Sequence, residues 1–495
     1  MKINNTVDIA SFITSRDFVS PLGTPYLGNS SILKKVPLLV GLGLMVLLLT
    51  SVSVQASNLY VRAGATGSNN GSDWTNAYTD LPESITRGDT YYVADGSYGG
   101  HTINQPGTSI ITIKKATVSD HGTDAGWSNT YGDGTAVFVG NITIETPGYV
   151  VIDGQTRGSD WKTGYGFKID VRNGDHGLQL GTPFVTTISN ITIRYLEIEG
   201  DGVQDGPKTG RSVNGGYNHT NITFEYVYFH DSGESIIRMA KIVNLLIQYS
   251  WFARDDSTAA VHAGGLICSE GCSDVTVRHN FWEDIEGTAF IETPTSGHPG
   301  CSGTNQSNWY IYGNVFFRPS VPARSATGNG VVYIFDANHT GDFHVYNNNF
   351  INLTNSFVGA EASSGSQGCI SNMQARNNLF YKNQIAAGIS CGSVSTCNVT
   401  HNAFFGGDPA SGTSNYAGGS GSPFTNWVTN NFTLTSSVAA AMMAGVTLAS
   451  PYNTDLLGNS RGADGKWDRG VFEFQSGSPP PILKIPNPPI IIQIQ

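Results

Sequence analysis

The feature that most restricts this chain is an asparagine that keeps returning two residues ahead of an aromatic ring. Asn280, Asn314, Asn348, Asn378 and Asn402 precede Trp282, Phe316, Phe350, Phe380 and Phe404, and each closes a short alternating segment: VTVRHNFW, WYIYGNVF, FHVYNNNF, MQARNNLF and CNVTHNAF. The asparagines lie 34, 34, 30 and 24 residues apart. That spacing is too uneven for a superhelix of helices and natural for stacked coils of strand joined by loops of unequal length. Upstream, ITIRYLEI, ITFEYVYF and LLIQYSWF keep the template, with Leu196, Val227 and Ser250 in the asparagine slot and Ile198, Phe229 and Phe252 in the aromatic one.

Within each segment apolar and polar residues alternate, as at Val275 and Val277 or Phe343 and Val345, so one face of a short strand points inward and the other outward. Parallel strands stacked about 4.8 Å apart then place each aromatic on its counterpart in the next coil and let each asparagine amide bond to the one above. Such a ladder satisfies polar groups at an internal turn, where leaving one unpaired costs roughly 1–3 kcal/mol. Asparagine also tolerates the left-handed backbone of a sharp bend, which predicts that conformation at the ladder positions. A β-sandwich would explain the alternation but not the recurring Asn-x-aromatic.

The coil pattern resembles the secreted right-handed parallel β-helix proteins of the pectin-lyase-like superfamily, which includes pectate lyases, polygalacturonases and alginate or chondroitin lyases. Two further stretches carry the likeness. Residues 67–98 resemble the N-terminal cap of such proteins, where a Gly-Asp-Thr turn (Gly88, Asp89, Thr90) leads a strand into Gly-x-Tyr (Gly96, Tyr98). Residues 455–474 resemble their Asp-x-x-Gly-x-x-Arg closing element, with Asp455, Gly458 and Arg461 in the named slots. The resemblance implies an all-β single-stranded solenoid with capping elements at both ends. We divide it into a leader with signal peptide (1–56), an N-terminal cap (57–100), coils (101–405), C-terminal coils with the closing element (406–475) and a Pro-rich tail (476–495). The fold hosts lyases, hydrolases, adhesins and tailspikes alike, so it does not fix the chemistry.

Composition and compartment agree with export. Charged residues make up 13% of the chain, where about a quarter is usual, and glycine reaches 60 of 495 residues, suiting a long sheet broken by many turns. The apolar run 36–49 follows Lys34 and Lys35 and ends near Val54, Gln55 and Ala56, the pattern of a secretory signal cleaved after Ala56; an uncleaved anchor is the alternative. Six cysteines fall as two triplets, Cys268, Cys272 and Cys301, then Cys369, Cys391 and Cys397, a count that fits disulfides in an oxidising compartment and lacks paired zinc spacing. Sequons at Asn141, Asn190, Asn221, Asn338, Asn352 and Asn398 arise as readily from Thr-rich strands as from glycosylation. A net charge of −11 gives no footprint for nucleic acid, so the chain is read as binding none. The same charge obliges any polyuronate site to supply a local basic patch or bound calcium.

Candidate chemistry falls on an outward strand face. Aligning SGESIIRMA, STAAVHAGG, EGTAFIETP, VVYIFDANH and SFVGAEASS as successive coils predicts one column of Arg238, His262, Glu292, Asp336 and Glu361. The stretch 233–244 resembles the alginate and chondroitin lyase pattern in which Glu-x-Glu-Ile-Ile precedes a lysine. Glu234 and Lys241 match its first glutamate and its lysine, which implies a proton-abstracting lysine and calcium on the carboxylates. The chain departs at the second glutamate, which is Ile236, and His262 or Arg254 stand only loosely for the arginine of the next coil. The candidate catalytic set is therefore Glu234, Arg238, Lys241, His262 and Glu292. A hydrolase reading rests on Asp255 and Asp256 ahead of His262, but adjacent aspartates point to opposite faces of a strand. His219, His230 and His279 read as exposed turn or surface residues, and Trp127, Trp161 and Tyr165 as sugar platforms or loop lids.

Two functions remain open from sequence. One is lyase-type β-elimination on an extracellular, uronate-containing polysaccharide by a secreted or cell-surface enzyme. The other is a non-catalytic carbohydrate-binding, adhesive or structural protein of the cell surface. The second draws on the Pro-rich tail, whose IIIQIQ end (490–495) is suited to adding a strand to the cell envelope or to another copy.

Overall fold

In the computed structural model, the residues described are 56–474, apart from 172–175, 183–184, 201–210, 256–263, 286, 288, 295–304, 320–329, 336–337, 354–357, 361, 364–365, 368, 383–388, 391–392, 406–411 and 436–441. The leader, the tail, His262, Asp256, Asp336, Glu361, Cys301 and Cys391 lie outside the described residues.

The chain is a right-handed parallel β-helix. Twenty-nine strands form one continuous sheet, and every pairing between coils is parallel, with the handedness that parallel crossovers take. Each coil runs through three strands, stacked into three long sheets. In one coil these are Ser273–Arg278, Phe281–Ile285 and Ala289–Pro294. Strand Thr220–Ser232 serves two sheets by bending at Tyr226: its first half pairs with Val243–Gln248 and its second with Trp251–Asp255.

The interior follows the sequence pattern. Phe229, Phe252, Trp282, Phe316, Phe350, Phe380 and Phe404 pile up with centroid spacings of 4.7, 3.9, 5.8, 5.2, 4.7 and 4.8 Å. Each such contact is worth about 0.5–1.5 kcal/mol beyond its buried area. Beside them runs the amide ladder: Nδ2 of Asn280, Asn314, Asn348 and Asn378 donates to Oδ1 of the next asparagine at 3.0, 3.1, 3.1 and 2.9 Å. The backbone N–H of each donates to the same oxygen. Ser250 joins from upstream, its N–H bonding Asn280 at 2.9 Å, and Asn415 extends the ladder downstream of Asn402 at 3.3 Å.

The left-handed residue is not the ladder asparagine but the one before it. Tyr195, Tyr226, Tyr249, His279, Gly313, Asn347, Asn377 and His401 have φ between 50° and 65°. A bulky side chain rarely accepts this backbone, and here the rings stack along the corner: Tyr195 on Tyr226 at 4.8 Å, Tyr226 on Tyr249 at 5.3 Å, Tyr249 on His279 at 5.3 Å. At Gly313 a Cβ would lie 2.6 Å from the His279 ring, so only glycine fits beneath it. This corner between first and second sheets is always two residues, from 249–250 to 401–402. The corner between second and third sheets varies from three residues (286–288) to twelve (318–329).

Both capping motifs are organised. Asp89 accepts the N–H of Ser57 at 2.8 Å and the Tyr98 hydroxyl donates to Ala94 O at 2.9 Å, while Leu81 and Ile85 close the core at that end. Asp455 accepts from Leu457 and Asn459, and the buried Arg461 donates to Gly470 O and Val471 O. Rather than plugging the last coil, this segment lies along the side of the helix. Phe424, Phe432, Leu434, Met442, Leu456, Val471 and Phe472 cover the apolar outer face of the second sheet, including Trp251, Phe281, Phe317 and Phe405. Trp161 and Tyr165 pack down beside them as lids, and Trp127 packs on Trp74. A disulfide joins Cys268 and Cys272 across the turn from third to first sheet, and Cys397 is also disulfide-bonded. No helix among the described residues is long and apolar enough to cross a membrane.

Candidate functional site

The second sheet is covered from Trp251 on; the first sheet carries an outward column of Lys114, Asp153, Arg194, Glu225, Gln248 and Arg278 that pair largely with one another, and a separate column runs along the third sheet. Its strands place one residue per coil in unbroken register: Thr102 beside Thr143, then Gln179, Asn214 and Arg238, all part-exposed, then the buried Ile267 and Glu292, with Tyr333 and Gly359 at the same backbone position in the next two coils. Arg238 and Glu292 do share the expected column, two coils apart. The other members are corrected. Ile267 holds the rung expected for His262, which falls five residues earlier, and Tyr333 and Gly359 hold those expected for Asp336 and Glu361. The slip has a physical source: the corner before each of these strands has its own length, so no fixed offset carries over from one coil to the next.

Glu234 sits at the turn ahead of strand Ile237–Ala240, nearly buried. Arg211 reaches both its oxygens, at 2.8 and 2.7 Å, and Arg238 Nη1 donates to it at 2.8 Å. The network continues along the column: Arg211 Nη1 donates to Asn214 Oδ1 at 3.2 Å, Asn214 Nδ2 to Gln179 Oε1 at 2.7 Å, and Gln179 Nε2 to Gly181 O at 2.5 Å. Sequence reasoning missed Arg211, Asn214 and Gln179. The outward position of strands Leu178–Leu180 and Val213–Tyr217 was the signal available, but both strands are too short for alternation to stand out.

The structure does not bring Glu234 and Lys241 together. They stand at opposite ends of strand Ile237–Ala240, where Lys241 adopts φ 53° and its Nζ lies 4.9 Å over the Tyr217 ring. Ile236, in the slot of the second glutamate, is wholly buried in the core. Glu292 is also fully buried, and burial pushes its carboxyl up to about 7 against the opposing field of Arg238. A carboxyl held there changes protonation near neutrality, the behaviour expected of an acid/base group.

The aspartate reading changes too. Asp255 is fully buried, in register with Ser232 and Ile285, and so belongs to the interior rather than to a groove. The three histidines expected at the surface are buried. His219 donates from Nε2 to Leu180 O at 3.0 Å and accepts Ile188 N–H at Nδ1. Burial drives the His279 ring down to about 3, so it stays neutral under its tyrosine stack.

His230 anchors a second polar cluster, around the corner on the second sheet. Its Nδ1 lies 2.5 Å from Asp231 and its Nε2 3.3 Å from Glu197. Burial alone would lower its pKa, but the hydrogen bonds to Asp231 and Glu197 prevail and raise it. Arg254 grips both oxygens of Asp231 at 2.6 and 2.7 Å, and Lys168 bonds Glu197 and Glu199. Three carboxylates thus face one imidazolium, one guanidinium and one ammonium.

Calcium does not fit the donors that the structure assembles. The ion takes six to eight oxygens, whereas both Glu234 oxygens are occupied by guanidinium. Among the described residues one group, Glu199, His230 and Asp231, brings three ligand atoms within 4.8 Å of one another. One of those atoms is a nitrogen, and Lys168 and Arg254 already balance the carboxylates. No step is derived through a metal.

No family model matches the sequence, and no curated protein does. Among solved structures the chain is similar to the pectate lyase Pel9A, at 15% identity over 85% of this chain and 97% of that one, with a TM-score of 0.49. It is similar to a PL6 family polysaccharide lyase from Pseudopedobacter saltans, at 12% identity over 71% and 87%, TM-score 0.39. A third is the A-module of the mannuronan C-5 epimerase AlgE6 from Azotobacter vinelandii, at 12% identity over 67% and 87%, TM-score 0.30. The parallel β-helix assignment rests on the coil register of this chain itself.

Proposed function

We propose that this is an exported β-helix protein that takes an extracellular, uronate-bearing polysaccharide along the outer face of its third sheet. The observation that supports this reading is the outward polar column from Thr102 to Arg238, part-exposed at every rung, with Arg211 and Arg238 gathered on Glu234 at its cationic end. Hydrogen-bonding side chains repeat there every rung, about 4.8 Å, on the scale of one sugar unit in an extended glycan. The arginines give an acidic chain the local positive field that a uronate needs.

Lyase-type β-elimination is the second reading, favoured by Glu292, whose carboxyl titrates near neutrality in the same column. In that reaction a base takes the proton from the carbon bearing the uronate carboxyl, the electron pair becomes a ring double bond, and the glycosidic oxygen leaves with a proton. Arg211 and Arg238 would hold the carboxylate and stabilise the charge that builds on it, and Glu292 would exchange the proton. Lys241 is the alternative base, from the far end of the same rung.

The test is a panel of polyuronates incubated with the purified chain, with and without calcium, following absorbance of the unsaturated product while glycan binding is measured in parallel. Turnover that falls about 100-fold or more in Glu292→Gln, with circular dichroism unchanged, supports elimination at Glu292; the same loss confined to Lys241→Ala moves the base there. Binding without turnover supports the binding protein, and neither binding nor turnover sinks the proposal. Attachment to the envelope or to a second copy through 476–495 belongs to the same reading and is tested by removing those residues.

A further inference from the structure

The column is not chemically uniform, and its division bears on the kind of glycan it takes. Thr102, Thr143, Gln179 and Asn214 are neutral. Strands Gly96–Ile103, Ala136–Ile144, Leu178–Leu180 and Val213–Tyr217, which carry them, contain no lysine or arginine. Anions stand beside the first two of these strands: Asp80 accepts from Gly99 N–H at 2.9 Å, and Glu145 accepts from Thr182 at 3.0 Å and Thr186 at 3.4 Å, while Lys241 lies over Tyr217 at the far end of the last. Cations begin at the rung of Asn214, where Arg211 donates to its Oδ1, and continue with Arg238 on the next, both arginines on Glu234.

A sugar carboxylate laid on Thr102, Thr143 or Gln179 would lose its water and meet no cation among the described residues, with Glu145 nearby to repel it. A hydroxyl laid there meets side chains that both donate and accept. Asn214 and Gln179 each use one of two amide N–H groups in the bond chain to Gly181 O, leaving the second for a ligand. We infer that the groove is built for a mixed polysaccharide, in which a uronate unit on Arg211 and Arg238 is preceded along the column by neutral sugars, rather than for a homopolyuronate. The inference deepens the proposed function and rests on its groove.

The experiment compares, by calorimetry on the full chain, an oligosaccharide carrying one glucuronate flanked by neutral glucose units with an oligoglucuronate of the same length. The mixed glycan is expected to bind about tenfold tighter, the value of one or two well-made hydrogen bonds over unsatisfied ones. Asn214→Ala and Gln179→Ala should cost the mixed glycan most of that margin and the homopolymer less, while Arg238→Ala weakens both glycans. Gln179→Arg, which places a cation in the neutral half, should instead raise oligoglucuronate affinity several-fold. Equal or tighter binding of the homopolymer by the unaltered chain, or equal losses on both glycans in Asn214→Ala and Gln179→Ala, overturns the inference and leaves the groove standing. Failure of either glycan to bind overturns the groove itself.

Discussion

The outer face of the second sheet presents Trp251, Phe281, Val315 and Leu379 in one column and Phe317, Ile351, Tyr381 and Phe405 in the next, packed under Trp161 and Lys162 at the Trp251 end and with the returning residues around Phe424, Phe432 and Phe472 beyond it. The outer face of the third sheet presents threonines, amides and an arginine over the coils from Thr102 to Arg238, each part-exposed. The two stretches come from successive parts of the coil stack, the polar one up to Arg238 and the apolar one from Trp251 on, with the same strand spacing and one shared core. What differs is the residue type at the outward positions. Apolar outward residues in register recruit the returning chain as a cover, because an uncovered strip of that size would be an association hazard. Polar ones repel a cover and stay available. The polar stretch is therefore the one of the two that is free to work.

That contrast can be broken or sharpened. The frame both faces share should be the most sensitive: Asn348→Leu strands two buried donors on Asn314 and removes the donor to Ile311 O, for a loss of about 5 kcal/mol in denaturant unfolding. Phe432→Ala, in the cover itself, should lower stability by about 4 kcal/mol and raise binding of a hydrophobic dye. A near-neutral result would show the cover to be merely laid on.

On the third sheet the expected signature is a pH effect. The folded state holds the Glu292 proton up to about 7 while the unfolded chain releases it near 4.5, so wild-type stability is lost as pH rises through that window. Glu292→Gln should then gain on wild type by roughly 3 kcal/mol between pH 4 and pH 8, read as diverging melting curves. Parallel curves would mean that burial does not govern that carboxyl. Smallest of all, Arg238→Ala should change stability by under about 1 kcal/mol, its side chain being 41% exposed and its ion pair screened, while glycan affinity falls about tenfold.

The internal architecture was legible from sequence because the asparagine and aromatic positions are set by a corner of constant length. Once one coil was aligned, so were the rest. Asn415 escaped notice because Ala417, not a ring, stands two residues on, although its amide continues the ladder. The left-handed position was assigned one residue late because asparagine is the usual occupant of that backbone. Here stacking along Tyr195, Tyr226, Tyr249 and His279 supports rings that would otherwise avoid it. The groove was legible only in part. Glu234 stands in a short corner and Arg238 in the strand that follows it, whereas His262, Asp336 and Glu361 were placed across corners of unequal length. Arg211 comes from the coil before and is tied to Glu234 only in three dimensions. No reading of separate segments joins those two.

The two-residue corner between first and second sheets has a consequence for how such a molecule can be remodelled. Every change of length is confined to the other corners, where 3 residues serve one coil and 12 another without disturbing the strands that follow. Segments of new sequence could be spliced in at those corners as interchangeable fittings. The same additions at 279–280 or 313–314 would throw every later rung out of phase.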